Sequence, residues 1–162
     1  MKAWVCEALT GEDGLVFQSQ PSLSCGAKQI RIKNHVIGLN FPDVLITRGL
    51  YQMKLEPPFI PGSECAGEVI EVGSAVSDIV VGQRVLAMTG FGAFAQELLV
   101  SPPMQQVMAI PDTMPFDDAA AFNMVYGTAM HGLKQRAYLQ SGEAVLVLGS
   151  AGGCGSAAVQ IA

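Results

Sequence analysis

Residues 144–148 read Ala-Val-Leu-Val-Leu, a short apolar run, and the next seven are Gly149-Ser150-Ala151-Gly152-Gly153-Cys154-Gly155. Small residues follow from Ser156 to Ala162. An apolar strand, a glycine-rich turn and the start of a small-residue helix open a βαβ unit, so this chain must hold at least part of an α/β layer. The glycines let main chain approach a pyrophosphate closely, and the exposed N–H groups of the helix start bind the anion. On the dinucleotide pattern, Ser150, Gly152 and Gly155 take the three glycine positions. A shifted register, Gly153, Gly155 and Ala158, fits as well, and both stay open. The competing reading is a tight turn that holds nothing.

The first hundred residues have a different texture. Strands are expected over 2–8 and 15–18, joined as a hairpin around Gly11 and Gly14. Residues 29–36 alternate Ile30 and Ile32 with Arg31 and Lys33, as a half-buried strand does. A loop with Asn40 and Pro42 precedes a helical turn over 43–47, closed by Gly49, and Pro57, Pro58 and Pro61-Gly62 form a rigid bend. Further strands are expected over 64–72, 84–88 and 94–100. Many short strands at this spacing suggest a small antiparallel barrel or sandwich. From Pro115 to Arg136 the chain reads as helix interrupted at Gly127, with Asp117 and Asp118 in the first turn where the helix dipole favours them. The expected organisation is a mainly β domain over 1–125 and, over 126–162, a linker helix and the start of a nucleotide-binding α/β domain. A full doubly wound domain takes about five βα steps of roughly 30 residues each, and one is present.

Composition narrows the function. The 162 residues carry a formal net charge of −5, with nine Lys and Arg scattered singly. That is the wrong sign for nucleic acid or an anionic membrane surface. No apolar run reaches the ~20 residues that span a bilayer, and no signal-peptide core precedes Glu7, so a cytoplasmic address is expected. The four cysteines, Cys6, Cys25, Cys65 and Cys154, include no Cys-x-x-Cys pair and read as free thiols.

The stretch from Gly142 to Gly155, with Gln160 beyond it, resembles the signature segment of zinc-free medium-chain dehydrogenases/reductases, the quinone oxidoreductase and zeta-crystallin family. Gly38-Leu39-Asn40-Phe41-Pro42-Asp43 with Gly49-Leu50-Tyr51, Pro61-Gly62-Ser63-Glu64-Cys65-Ala66-Gly67, Tyr126-Gly127-Thr128-Ala129 and Val81-Gly82-Gln83-Arg84-Val85 resemble the same family, Gln83 replacing an Asp. The resemblance implies a GroES-like β-barrel catalytic domain followed by the first strand, glycine loop and helix start of a truncated Rossmann domain. It implies NADPH as cofactor, NADH not being excluded, and a quinone or α,β-unsaturated carbonyl as substrate. It also implies a homodimer at full length. Asn40, Tyr51 and Thr128 are the implied hydrogen-bonding groups at the reacting centre, with Asp43 orienting its neighbours. Ser150, Ala151, Gly152, Gly153, Cys154 and Gly155 would hold the nucleotide, with Thr128 and Asn40 near the nicotinamide.

Zinc-dependent relatives carry Cys-His near position 40 and Gly-His-Glu near position 63. Here those places hold Asn40-Phe41 and Gly62-Ser63-Glu64, and amides and hydroxyls are not usual zinc ligands. No metal is expected. Plainer roles compete throughout: Asn40 as a turn former, Tyr51 as a rim aromatic, Thr128 as a helix cap, Glu64 as a buried carboxylate beside the site, and Cys65 and Cys154 as packing residues. His35 and His131 read as structural. Two other functions remain: an enoyl thioester reductase on the same framework, and a non-catalytic GroES-like binding module. The 162 residues alone are expected to bind NADPH poorly and turn over nothing.

Overall fold

The computed structural model describes residues 1–102 and 104–162, and the chain divides into two compact units, Met1–Ala121 and Phe122–Ala162. In the first, strands β1 (Lys2–Cys6) and β2 (Leu15–Ser19) form the expected antiparallel hairpin around a short 3-10 turn, Gly11–Gly14. Trp4 faces Phe17 across it, ring centroids 5.2 Å apart. The main sheet has five antiparallel strands, β3 (Ile30–Gly38), β4 (Glu64–Val72), β5 (Arg84–Met88), β6 (Glu97–Val100) and β7 (Gln106–Ala109), in the order β6-β3-β4-β5-β7. Strand β1 joins it through backbone bonds from Trp4 N–H to Phe94 (2.8 Å), Cys6 N–H to Phe59 (2.7 Å) and Gln96 N–H to Lys2 (3.0 Å). These links wrap the hairpin over the sheet and give the barrel its inside.

That inside is aliphatic. Ile30, Ile32, Val69, Val85 and Val100 lose essentially all contact with solvent and pack together with Leu98 and Cys65. The alternation read over 29–36 places Ile30 and Ile32 inward and leaves Lys33 exposed, while Arg31 is buried as well. Arg31 offsets its burial with an ion pair to Glu71 (2.9 Å), a bond to the Ser22 hydroxyl (3.1 Å) and one to the Leu23 carbonyl. The β3–β4 register shifts between Asn34 and Val36. Such a bulge bends the strand, and the unpaired His35 stacks on Phe116 at 4.5 Å.

Helix α1 (Phe41–Thr47) starts two residues earlier than the expected turn, because Asn40 caps it and Pro42 suits its first turn. Gly49 then closes it with φ +66°. Helix α2 (Phe116–Ala120) follows Pro115, whose ψ of 150° makes it the residue before the helix instead of its first member. Arg84 pins this segment by donating to the carbonyls of Pro111 (2.9 Å), Asp112 (2.8 Å) and Met114 (2.6 Å).

Further expectations change. The helical stretch breaks at Ala121–Phe122, not at Gly127, which lies inside helix α3 (Asn123–Met130). Strand β7 has no counterpart among the expected strands. In the second unit, α3 runs into a π-helical turn, His131–Arg136, and packs against helix α4 (Gly153–Ile161). The strand expected over 144–148 does not form: these residues belong to no regular element and have no hydrogen-bonded neighbour strand among the described residues. A strand is defined by its partner, and Leu146 and Leu148 stay 86% and 85% exposed.

Burial predicts how the strands respond to substitution. Ile32→Ala empties a fully enclosed site and is expected to cost about 2–5 kcal/mol. Ile70→Ala, 36% exposed on β4, is expected to cost under about 1 kcal/mol. Urea unfolding measures both, and equal losses contradict the assignment of the core.

Candidate functional site

The site begins where β3 runs out. Gly38 ends that strand, and Asn40, extended at φ −127° and ψ 156°, caps α1. Asn40 N–H donates to Asp43 Oδ2 (2.8 Å), and Asp43 N–H returns a bond to the Asn40 carbonyl (3.0 Å). The other Asp43 oxygen, Oδ1, accepts the Ser63 hydroxyl. Asp43 is 3% exposed. Burial pushes its carboxyl above the ordinary aspartate value, opposed by bonds from the Ser63 hydroxyl, the Asn40 N–H and the Ser63 N–H.

Ser63 leads into β4, whose first residue is Glu64, 2% exposed. The Asn40 side chain donates through Nδ2 to Glu64 Oε1 at 2.8 Å. Gly38 lies directly opposite Glu64 in the sheet. A Cβ at 38 would come within 2.6 Å of Glu64 Cγ and Oε1 and 2.5 Å of the Ala120 carbonyl oxygen. Only glycine leaves this carboxylate its place. Next along β4, Cys65 is buried, and burial together with the charge of Glu64 pushes its thiol up to about 12, which makes it inert.

Asn40 and Asp43 line a cleft of about 450 Å³ whose walls include Leu15, Leu39, Phe41 and Phe94. A second depression of about 420 Å³ shares Leu15, Leu39 and Phe94 with it and reaches Trp4. Apolar walls with a few convergent polar groups suit a small organic molecule. The acid at the rim, Glu12, is held by Arg48 at 3.0 Å. A separate cavity of about 460 Å³ near Lys28, Ser77 and Asp78 contains none of the expected site residues.

Tyr51 lies in the irregular segment after α1, half-buried, and its hydroxyl has no hydrogen-bond partner among the described residues. Thr128 belongs to the second unit. It sits inside α3 instead of capping a helix, and its hydroxyl donates to the Met124 carbonyl at 2.6 Å. Its oxygen is left to accept. The structure thus brings Asn40, Asp43, Ser63 and Glu64 together in the first unit and leaves Tyr51 outside their network.

Within the second unit, Gly149 has φ +73° and Gly152 caps α4. The first intrahelical bond runs from Ser156 N–H to the Gly152 carbonyl (2.8 Å). The N–H groups of Gly153, Cys154 and Gly155 therefore precede the ladder and face outward at the positive end of the helix dipole. A Cβ at Gly155 would collide with the Gly149 carbonyl, the close approach that the fingerprint's third glycine serves. This cradle fits the pyrophosphate of a dinucleotide. Cys154 is exposed beside it and not packed as the sequence suggested. Tyr126 braces α4 by donating to Gln160 at 2.7 Å.

No group of three or more His, Cys, Asp or Glu side chains placed to hold a metal ion occurs among the described residues. No helix among them is long and apolar enough to cross a membrane. His131 bonds its helix neighbour Gln135 (2.6 Å). Three contributors escaped the sequence reading: Gly38, Ser63 as a donor, and the Leu15–Phe94 wall. Of these, Gly38 and Ser63 lay inside motifs that carried a signal, and the Leu15–Phe94 wall did not.

A family model described as the alcohol dehydrogenase GroES-like domain matches residues 26–112. The quinone oxidoreductase-like protein 2 homolog of Nematostella vectensis is 41% identical over 162 residues, 99% of this chain and 44% of that protein. The solved quinone oxidoreductase of Thermus thermophilus, described also in complex with NADPH, superposes with a TM-score of 0.84 at 34% identity, covering 99% of this chain and 49% of that one. The solved CurK enoyl reductase superposes with a TM-score of 0.87 at 31% identity, covering 99% and 50%. The chain spans about half the length of the relatives it matches.

The buried aspartate sets a pH dependence. The folded value of Asp43 lies above the unfolded one, so its contribution to stability is fully present below the ordinary aspartate value of about 3.9. That contribution is lost as pH rises through the raised value. The unfolding free energy of the wild type relative to Asp43→Asn is therefore expected to decline as pH rises across this window. A flat or rising difference contradicts the raised carboxyl.

Proposed function

Because this chain belongs to the alcohol dehydrogenase GroES-like domain family and is part of a medium-chain dehydrogenase/reductase, we propose that it serves an NADPH-dependent, zinc-free reduction of quinones or α,β-unsaturated carbonyls. The observation that carries this is the Asn40 amide, held by Asp43 and Glu64 at the edge of a cleft whose apolar wall is Leu15, Leu39, Phe41, Val44 and Phe94. Support comes also from the glycine turn at α4 and from the similarity to a quinone oxidoreductase described in complex with NADPH.

A bound nicotinamide dinucleotide supplies hydride to such a reaction. The chain's own residues have three tasks. The N–H groups of Gly153, Cys154 and Gly155 bind phosphate oxygens at the start of α4, with Ser150, Ala151 and Gly152 shaping the turn. Leu15, Leu39, Phe41 and Phe94 offer an apolar wall to the acceptor. Hydrogen-bond donors stabilise the negative charge that grows on its oxygen, and one well-placed donor is worth about 3 kcal/mol.

Asn40 has one N–H engaged with Glu64 and a second to offer, beside its own Oδ1. The Tyr51 hydroxyl is a further donor. Thr128, its proton committed within α3, serves as an acceptor for the nicotinamide amide. Asp43 locks the loop and moves no proton. Reduction of a conjugated carbonyl needs no strong base, which agrees with His35 and His131 taking no part.

Similarity to an enoyl reductase supports a second reading, with an enoyl thioester as the acceptor. The protein expressed from its complete reading frame distinguishes them. Oxidation of NADPH is expected with menadione and to be much slower with crotonyl-CoA, and a metal chelator is expected to leave the rate unchanged. Preference for the thioester moves the function to the second reading. Oxidation with neither, or loss of activity on chelation, contradicts the proposal.

A further inference from the structure

Glu64 stands behind the candidate site and does not line its cleft. It is 2% exposed and accepts a bond from Asn40 Nδ2 at 2.8 Å. A carboxylate only accepts hydrogen bonds, whereas an amide has a donating edge and an accepting one. The carboxylate therefore selects the NH2 edge of Asn40. Turned over, the amide would set Oδ1 against a carboxylate oxygen, two negative atoms at bonding distance away from water, which is costly.

From this geometry we infer that Glu64 is a positioning residue of the proposed reductase, fixing the Asn40 amide so that its Oδ1 and second N–H address the ligand. The role rests on the reductase reading above. Both halves of Asn40 are then held, the side chain by Glu64 and the main chain by Asp43. The niche for the carboxylate exists because position 38 has no Cβ. Glutamine in place of Glu64 keeps the shape and presents both an accepting and a donating edge. Either amide orientation is then satisfied, and the selection is lost without opening a cavity.

The complete protein and its Glu64→Gln, Asn40→Ala and doubly substituted forms test this. With NADPH and menadione, Glu64→Gln is expected to lower kcat between about tenfold and a hundredfold, the scale of a misplaced reacting group, with the thermal midpoint little changed. In the Asn40→Ala background the same substitution is expected to add nothing, because the inferred role of Glu64 runs through the Asn40 amide. Selective labelling adds a readout that needs no substrate. The Asn40 side-chain amide is expected to give one pair of nitrogen-bound proton signals in the wild type and a shifted or doubled pair in Glu64→Gln. Equal losses in both backgrounds, an unchanged kcat, or unmoved amide signals would overturn the assignment. A wild type with a single fixed amide signal but no quinone or enone reduction would instead remove the reductase reading, and this role with it.

Discussion

Two carboxylates, Asp43 and Glu64, lie almost wholly out of water, and Asn40 reaches both. Taking an ionised carboxylate from solvent costs several kcal/mol unless donors surround it. Asn40 gives its main-chain N–H to one and its side-chain Nδ2–H to the other. Ser63 gives its hydroxyl to Asp43. These bonds fasten two places that the chain visits separately: the turn from β3 into α1 and the start of β4. The Ala120 carbonyl of α2 closes in over Gly38, so the tolerance at this junction is small. A loop tied at both ends in this way presents a polar edge to an apolar cleft without wandering, the condition a hydrogen-bonding site must meet.

The rest of the barrel unit acts as the frame. The aliphatic core fixes β3 against β4, and hence Gly38 opposite Glu64. The hairpin of β1 and β2 contributes Leu15 to the cleft and joins the sheet at Phe94, another cleft residue. In the second unit, α4 rests on a carbonyl that only a glycine at 155 permits, so the glycine turn also depends on a missing side chain. Packing in both units is written partly in the atoms that glycine lacks.

Much of this was legible in the sequence, for physical reasons that can be named. Strands Glu64–Val72 and Arg84–Met88 stood out because buried β-branched and aliphatic residues fill them between turn residues. The junction at Asn40 was legible through its motif, but its bonds were not, since they link positions 24 and 20 residues apart. Strand β7 escaped because Gln106–Ala109 is a mostly exposed edge with no burial pattern to read. The expected strand over 144–148 had the right composition and lacked only a partner, which composition does not supply. Gly127 misled in the other direction: one glycine inside a helix costs only about 1 kcal/mol, and neighbouring turns carry it.

In the proposed reductase, the Asn40 amide is the group that meets the oxygen on which charge develops. The measurement that tests it most directly is the single-turnover rate of NADPH oxidation by menadione in the complete protein carrying Asn40→Ala. A fall of about a hundredfold is expected, with the affinity for NADPH changed far less. A single-turnover rate equal to that of the wild type would contradict it.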